Sequence, residues 1–423
     1  MKFSFKNFYQ KRDNLDILSL VISQFFTGLS ILVSIKILTE LLDVAEYGKL
    51  ALSITIYMLV TQVLFGGLNV SIGRYYSIAK ADLDLAGYKK TFNKILQIVF
   101  CIVLIMMLLA FVILSYSGNF SANNISFPLL IFGFFHAWVV IIHNFFVVSK
   151  QRMTFAIYQV FDVWFRLFLG IIFIIIFYKS AFFVLIGYAI ATIIVFIFQY
   201  YSFNKFLNEN LETKVPKKDW TKDILIFSYP YIFWTLPIWG QQVSDRWFLN
   251  IYAGVEEVAA YSVMYQLGYA PFLMILSVFL KYITPFIYDN ATNKSDTIKG
   301  ASYDVTKYIS IILIVGFISF AMIFIMHPFI IPLLASEKYI NYSFYLPYFI
   351  AAASLFAAGE IYAIKMQAKM LSLRLSYIKL FMGFLGIGMN FIGAYLMGIG
   401  GVVASLLLFC TINFFVMRIC SND

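Results

Sequence analysis

Residues 154–178 read TFAIYQVFDVWFRLFLGIIFIIIFY. About 20 mostly apolar residues suffice for a helix to cross ~30 Å of hydrocarbon, so this stretch is long enough to span a membrane. Its middle nevertheless carries Asp162 and Arg166. A charge near the bilayer centre costs at least ~2.5 kcal/mol on insertion scales and is normally turned toward a partner or a watery cavity. The spacing of four places the two side chains on one helix face, as a neutralising pair or as part of a cavity wall. Lone basic residues recur in other apolar stretches, at Lys36, Arg74, Arg246 and Lys281. Apolar spans that tolerate such residues point to a transporter.

Composition supports a membrane protein. The 423 residues are 62% hydrophobic and 12% charged, with 47 Phe and 29 Tyr, more apolar surface than a water-soluble fold could hide. The net charge of +10 does not indicate a nucleic-acid partner, because Lys and Arg lie in short connectors between apolar runs. Cys101, Cys410 and Cys420 show no metal-ligand or disulfide spacing. The first apolar run, from about Leu15 to Leu38, exceeds the apolar core of a cleaved signal and lacks a small-residue cleavage site. It reads as an uncleaved first span.

The same length rule predicts twelve spans, near 15–38, 48–73, 94–116, 126–148, 154–178, 181–203, 224–250, 258–288, 307–328, 343–366, 376–396 and 399–418. Most of the 31 basic residues fall on one side of this ladder, while the opposite connectors keep only Lys49, Lys179 and Lys338. The positive-inside rule then predicts both termini in the cytoplasm. The connector 204–223, rich in Lys, Glu and Asn, divides the chain into halves at 1–203 and 224–423, each of six spans. Both halves start on the same side, so a duplication would be parallel. Val44-Ala45-Glu46-Tyr47-Gly48-Lys49-Leu50-Ala51 and Val255-Glu256-Glu257-Val258-Ala259-Ala260-Tyr261-Ser262 occupy matching places after the first span of each half.

Three stretches carry a family resemblance. The first runs Ile37-Leu38-Thr39-Glu40-Leu41-Leu42-Asp43-Val44-Ala45-Glu46-Tyr47-Gly48 and on to Gly67-Leu68-Asn69-Val70-Ser71-Ile72-Gly73-Arg74-Tyr75-Tyr76. The second is Ser244-Asp245-Arg246-Trp247-Phe248-Leu249, with Gly254-Val255-Glu256 and Ala260-Tyr261-Ser262; the third is Met389-Asn390-Phe391-Ile392-Gly393, with Gly398-Ile399-Gly400-Gly401-Val402-Val403-Ala404-Ser405. In order and placement they resemble the polysaccharide biosynthesis (oligosaccharide flippase, Wzx-type) family of the multidrug/oligosaccharidyl-lipid/polysaccharide exporter superfamily. Glu40 stands where that family commonly has Arg, so no ligand role carries over to it. The resemblance implies an all-α integral membrane protein, with twelve transmembrane helices in two pseudo-symmetric six-helix bundles around a central cavity. It also implies an undecaprenyl-diphosphate-linked oligosaccharide as substrate, O-antigen-type polysaccharide assembly in a bacterial inner membrane, and the polysaccharide polymerase and chain-length machinery as partners.

A diphosphate head group calls for cations, and the planar fork of Arg suits it better than the point charge of Lys. Arg166, Arg246, Arg74, Lys36 and Lys281 are therefore the candidate binding residues. Arg74, Lys36 and Lys281 lie near span ends, where snorkelling to the interface competes with that role. Asp245 and Arg246 are adjacent, so their side chains are expected to diverge by roughly 100°, too far for one neighbour to answer both. Asp162, Asp245 and Glu360 are the carboxylates through which H+ or Na+ could be coupled, although the small residues around Glu360 also suit close helix packing. Pro230 and Pro237 interrupt the seventh span, as a hinge or a static kink. His136 and His143, seven apart on one face with no carboxylate in their helix, read as satisfied polar contacts, with no metal site or cofactor.

Two other functions stay open. A small-cation or drug exporter would want a cavity of acids and aromatics, whereas the intramembrane charges here lean basic. A membrane glycosyltransferase or polymerase would want a substantial outer loop, and the outer connectors are short. The chain contains no Gly-rich nucleotide loop, HExxH or serine-nucleophile motif, so an enzyme is not expected.

Overall fold

The computed structural model describes the backbone of residues 5–116, 125–211, 215–292 and 297–422. Side chains are described for these except 5–18, 106–107, 109–116, 277–278, 281–282, 285–286, 288–304 and 422. Among the described residues every regular element is helical, as lipid demands of a chain whose backbone must satisfy its own hydrogen bonds. The helices are α1 (Phe5–Leu41), α2 (Val44–Met58), α3 (Gly66–Ala81), α4 (Leu85–Tyr116), α5 (Ser126–Val148), α6 (Arg152–Ile176) and α7 (Ala181–Glu209). They continue as α8 (Thr221–Ser228), α9 (Pro230–Tyr252), α10 (Val255–Met264), α11 (Ala270–Thr292), α12 (Thr297–Leu334), α13 (Leu346–Ala368) and α14 (Ser372–Asn422).

Each of the twelve expected spans falls on helix among the described residues, where nine helices are long and apolar enough to cross a membrane. The second is α2 and α3 joined through a π-helical turn at Leu59–Leu64, and the eighth is α10 and α11 joined through another at Tyr265–Tyr269. The same irregularity in the second span of each half supports the pseudo-symmetry. The last two passages both lie in the 51-residue α14, which is broken at Met397 and at Gly398, whose φ is +54°. The seventh is α8 followed by α9; Pro230 opens α9, where a missing N–H costs nothing, and Pro237 lies inside it. Three connectors, after α3, α5 and α13, end in the same left-handed turn at Leu83, Lys150 and Met370. In each, the next N–H reaches back five residues, as Asp84 does to the Ala79 carbonyl.

The chain forms two compact units, residues 1–31 with 53–236 and residues 32–52 with 237–423, so α1, α2 and α9 contribute to both. The first has an aromatic core in which Tyr88, Phe92, Trp138, Phe145 and Phe203 are fully buried. Its connector is tied down by Asp84, whose carboxylate accepts N–H bonds from Gly87, Lys217, Lys218 and the Trp220 indole at 3.0–3.1 Å. The second packs Ile283, Ile287, Ile309, Ile361 and Met417 around α13. Ala352, Ala353, Ala357 and Ala358 are buried there, and Gly359 faces Asn413 and Phe414. Small residues let helices approach where lipid removes the hydrophobic incentive to associate. Gly48 likewise lies against the Val255 carbonyl, bringing the two similar stretches of sequence together.

Candidate functional site

In the first unit the α6 pair forms. Arg166 Nη2 lies 2.9 Å from Asp162 Oδ2, and the Arg166 guanidinium stands 5.7 Å from the Phe132 ring centre on α5. His136, also on α5, brings Nε2 within 3.3 Å of the same Oδ2, while its Nδ1 is 2.7 Å from the Tyr57 hydroxyl. With an ionised Asp162 able only to accept, His136 donates from Nε2, and its Nδ1 shares a hydrogen bond with the Tyr57 hydroxyl. Asp162 and His136 are buried and Arg166 and Tyr57 are partly so, yet Asp162 Oδ1 has no hydrogen-bond partner among the described residues. Further polar groups lie on α5, α6 and α7: His143 Nε2 is 2.8 Å from Gln199 Nε2, and Gln159 Oε1, Thr192 Oγ1 and Gln199 Oε1 are buried without a partner among the described residues. Each histidine makes a polar contact within the first unit, and the carboxylate that meets His136 comes from the next helix.

In the second unit Arg246 curls back along α9. Its Nη1 lies 3.2 Å from Asp245 Oδ1 and 3.2 Å from the Gln242 carbonyl oxygen, and Nε lies 3.3 Å from Ser262 Oγ. Tyr261, on α10, donates its hydroxyl to Asp245 Oδ2 at 2.6 Å and presents its ring to Arg246 at 5.6 Å; Tyr265 adds a second ring at 4.7 Å. The expected divergence of Asp245 and Arg246 is therefore corrected, because the long arginine stem folds over the helix and one tyrosine answers both. Both charged residues are buried.

The other candidates are placed as follows. Lys36 pairs with Glu40 at 2.7 Å and donates to the Pro332 and Ala335 carbonyls at 2.7 and 3.0 Å, closing the C-terminus of α12. Glu360 meets Lys379 on α14 at 2.6 Å. Arg74 is exposed on α3 above the Phe227 ring. Lys281 lies in α11 with its side chain outside the described residues. Tyr57, Tyr261, Tyr265 and Lys379 are contributors that sequence reasoning missed: the tyrosines are lost among 29, whereas Lys379 inside an apolar run was a usable signal. No group of three metal-ligating side chains occurs among the described residues.

Each cluster joins one Arg, one Asp and an aromatic donor, which can hold a buried cation ready and release it when the carboxylate is neutralised. Comparison with known proteins gives the chain its relatives. A search of curated proteins returns no significant match. Among solved structures, the fold is similar to lipid II flippase MurJ in an inward closed conformation, at 12% identity and TM-score 0.69 over 97% of this chain and 87% of that one. It is also similar to a multidrug resistance MATE family transporter of the MOP superfamily. The inward-facing form gives 16% identity, TM-score 0.67 and coverage of 96% and 98%; the outward-facing form gives 17%, 0.62, and 96% and 95%. These neighbours are a transporter and a flippase, and this chain shares their fold; nine helices among its described residues are long and apolar enough to cross a membrane. The family model for polysaccharide biosynthesis proteins matches residues 15–290, and the chain belongs to that family.

Proposed function

We propose that the chain is a flippase that carries undecaprenyl-diphosphate-linked oligosaccharide from the cytoplasmic to the outer leaflet of a bacterial inner membrane by alternating access, with both termini in the cytoplasm. Its working halves are 1–203 and 224–423, the polymerase and chain-length machinery for surface polysaccharide are its partners, and Pro230 and Pro237 serve the hinge. The observation that carries this reading is the placing of Arg166, partly buried, and Arg246, buried, each in contact with a single buried carboxylate. A buried ion pair is at best a weak source of stability, so its retention suits a part of the transport cycle.

Protonation of Asp162 or Asp245, or sodium binding to either, would weaken its hold on the arginine and free the N–H that meets the carboxylate for a diphosphate. Return of the carboxylate charge would displace the phosphate again. Glu360 is a further coupling group, with Lys379 in place of an arginine. Proteoliposomes carrying lipid-linked sugars of defined structure, under imposed pH or sodium gradients, test the proposal. Gradient-dependent appearance of the sugar in the opposite leaflet is the expected result. Export of small organic cations with no movement of any diphosphate-linked lipid would establish the exporter reading instead.

A further inference from the structure

Arg74 differs from four other basic residues in the spans. Lys36, Arg166, Arg246 and Lys379 each face a carboxylate at 2.6–3.2 Å. Arg74 instead has its guanidinium 5.1 Å from the Phe227 ring centre, and among the described residues no oxygen answers its five N–H donors. A cation over an aromatic face keeps its donor edge unspent.

Beside it lies an open pocket of about 440 Å³ within the first unit, bordered by Tyr75, Asp223, Ile226, Phe227, Pro230 and Tyr231, and Arg74 stands at its edge over the Phe227 ring. The rings form a connected wall: Tyr75 is 6.0 Å from Trp220 and 6.2 Å from Phe227, which is 5.9 Å from Tyr231. Lys218 stands 4.2 Å over Trp220 and 2.7 Å from Asp223 Oδ2. The wall is held in place from behind. Gly67 admits the Ser228 carbonyl, Ser71 and Ser228 share a 2.7 Å hydrogen bond, and Asp84 fixes the Trp220 indole.

We infer that this pocket binds a glycosyl diphosphate head group, an inference that rests on the flippase reading and adds a docking site to it. Arg74 supplies the bidentate fork for the diphosphate. The aromatic faces of Tyr75 and Tyr231 cover the apolar C–H face of a sugar ring, and Asp223 and the tyrosine hydroxyls hydrogen-bond its hydroxyls. A phospholipid offers only the phosphate, so the aromatic and carboxylate groups are what separates the two ligands.

Binding to the full chain in detergent is measured with farnesyl-diphosphate-linked N-acetylglucosamine, farnesyl diphosphate and phosphatidylglycerol. Arg74→Gln, at an exposed position, should weaken both farnesyl probes about tenfold. Tyr231→Ala should weaken only the sugar-bearing probe, again about tenfold, and phosphatidylglycerol should fail to displace it. Equal loss of both probes in Tyr231→Ala, or displacement by phosphatidylglycerol, would show an interfacial lipid anchor and overturn the inference. If Tyr231→Ala does not fold, hydrogen exchange of residues 221–231 in the wild type takes its place; absence of sugar-dependent protection has the same meaning. Translocation of long-chain substrate by a protein that binds neither probe removes the pocket and leaves the flippase; loss of both removes the flippase reading as well.

Discussion

Tyr261 donates its hydroxyl to Asp245 at 2.6 Å and turns the same ring toward Arg246 at 5.6 Å. One side chain thus answers both members of an ion pair that the two consecutive residues form directly, at 3.2 Å. Tyr261→Phe keeps the ring and removes the donor, leaving Asp245 one hydrogen bond short at a cost of about 1–3 kcal/mol. Arg246→Met leaves the carboxylate buried and uncompensated, about 3–5 kcal/mol, whereas Asp245→Asn with Arg246→Met should cost clearly less than the sum of the single changes. Thermal unfolding in detergent gives the cycle; additive losses would mean that the two charges do not depend on each other.

The first cluster should separate coupling from binding. Arg166→Gln is expected to lower translocation at every gradient, because it removes the proposed phosphate fork. Asp162→Asn should leave slower movement that no longer responds to the imposed gradient. Membrane abundance near the wild-type level in both variants accompanies a transport role, and loss of the folded protein in both would assign the pair to structure. His136→Gln offers one reading of the Asp162 contact: retained transport with an altered pH profile places the imidazole as a positioning group for Asp162.

The sequence was most informative where membrane chemistry leaves few choices. Twelve passages could be read because hydrocarbon demands long apolar helices, and the Asp162–Arg166 pair because a spacing of four has only one helical meaning. Breaks inside spans were illegible: neither Leu59–Leu64 nor Tyr265–Tyr269 contains a proline or glycine pattern that demands a π-helical turn. Partners from other helices were equally hidden. Lys36 illustrates this, since a local reading could find Glu40 but not the Pro332 and Ala335 carbonyls nearly three hundred residues away. The aromatic wall beside Arg74 also arises from two distant segments, 74–75 and 220–231, and the abundance of aromatics masked it.

Acid should loosen the connector before it loosens the helices. Burial alone would raise the Asp84 carboxyl, but N–H bonds from Lys217, Gly87, Trp220 and Lys218 outweigh it and hold the pKa below the ordinary 3.8. A lowered folded-state pKa means that the latch contributes fully above about 3.8 and is lost as pH falls through the lower folded value. Asp84→Ala removes charge-assisted bonds and should cost about 3 kcal/mol, roughly a hundredfold in the opening equilibrium. Hydrogen exchange of residues 215–220 measures it. Unchanged protection in the variant, or a wild-type connector that opens with rising pH, would contradict the latch.

The break in α14 should prove intolerant for two coupled reasons. Gly398 has φ +54° and ψ −133°, a combination that costs a residue with a Cβ about 1–3 kcal/mol. A Cβ there would also come within 2.8 Å of Glu257 Oε2, the atom that accepts the Ile399 N–H at 2.8 Å and caps the second arm of the helix. Gly398→Ala must therefore displace the cap as well as strain the backbone, for a total of about 3 kcal/mol. Glu257→Gln keeps an acceptor and should cost less than Glu257→Ala. With Glu257→Ala in place the collision disappears, so adding Gly398→Ala then costs only the backbone strain. Unfolding midpoints of the two single variants and the double variant in detergent decide it, and strictly additive losses would show that the carboxylate does not hold the break.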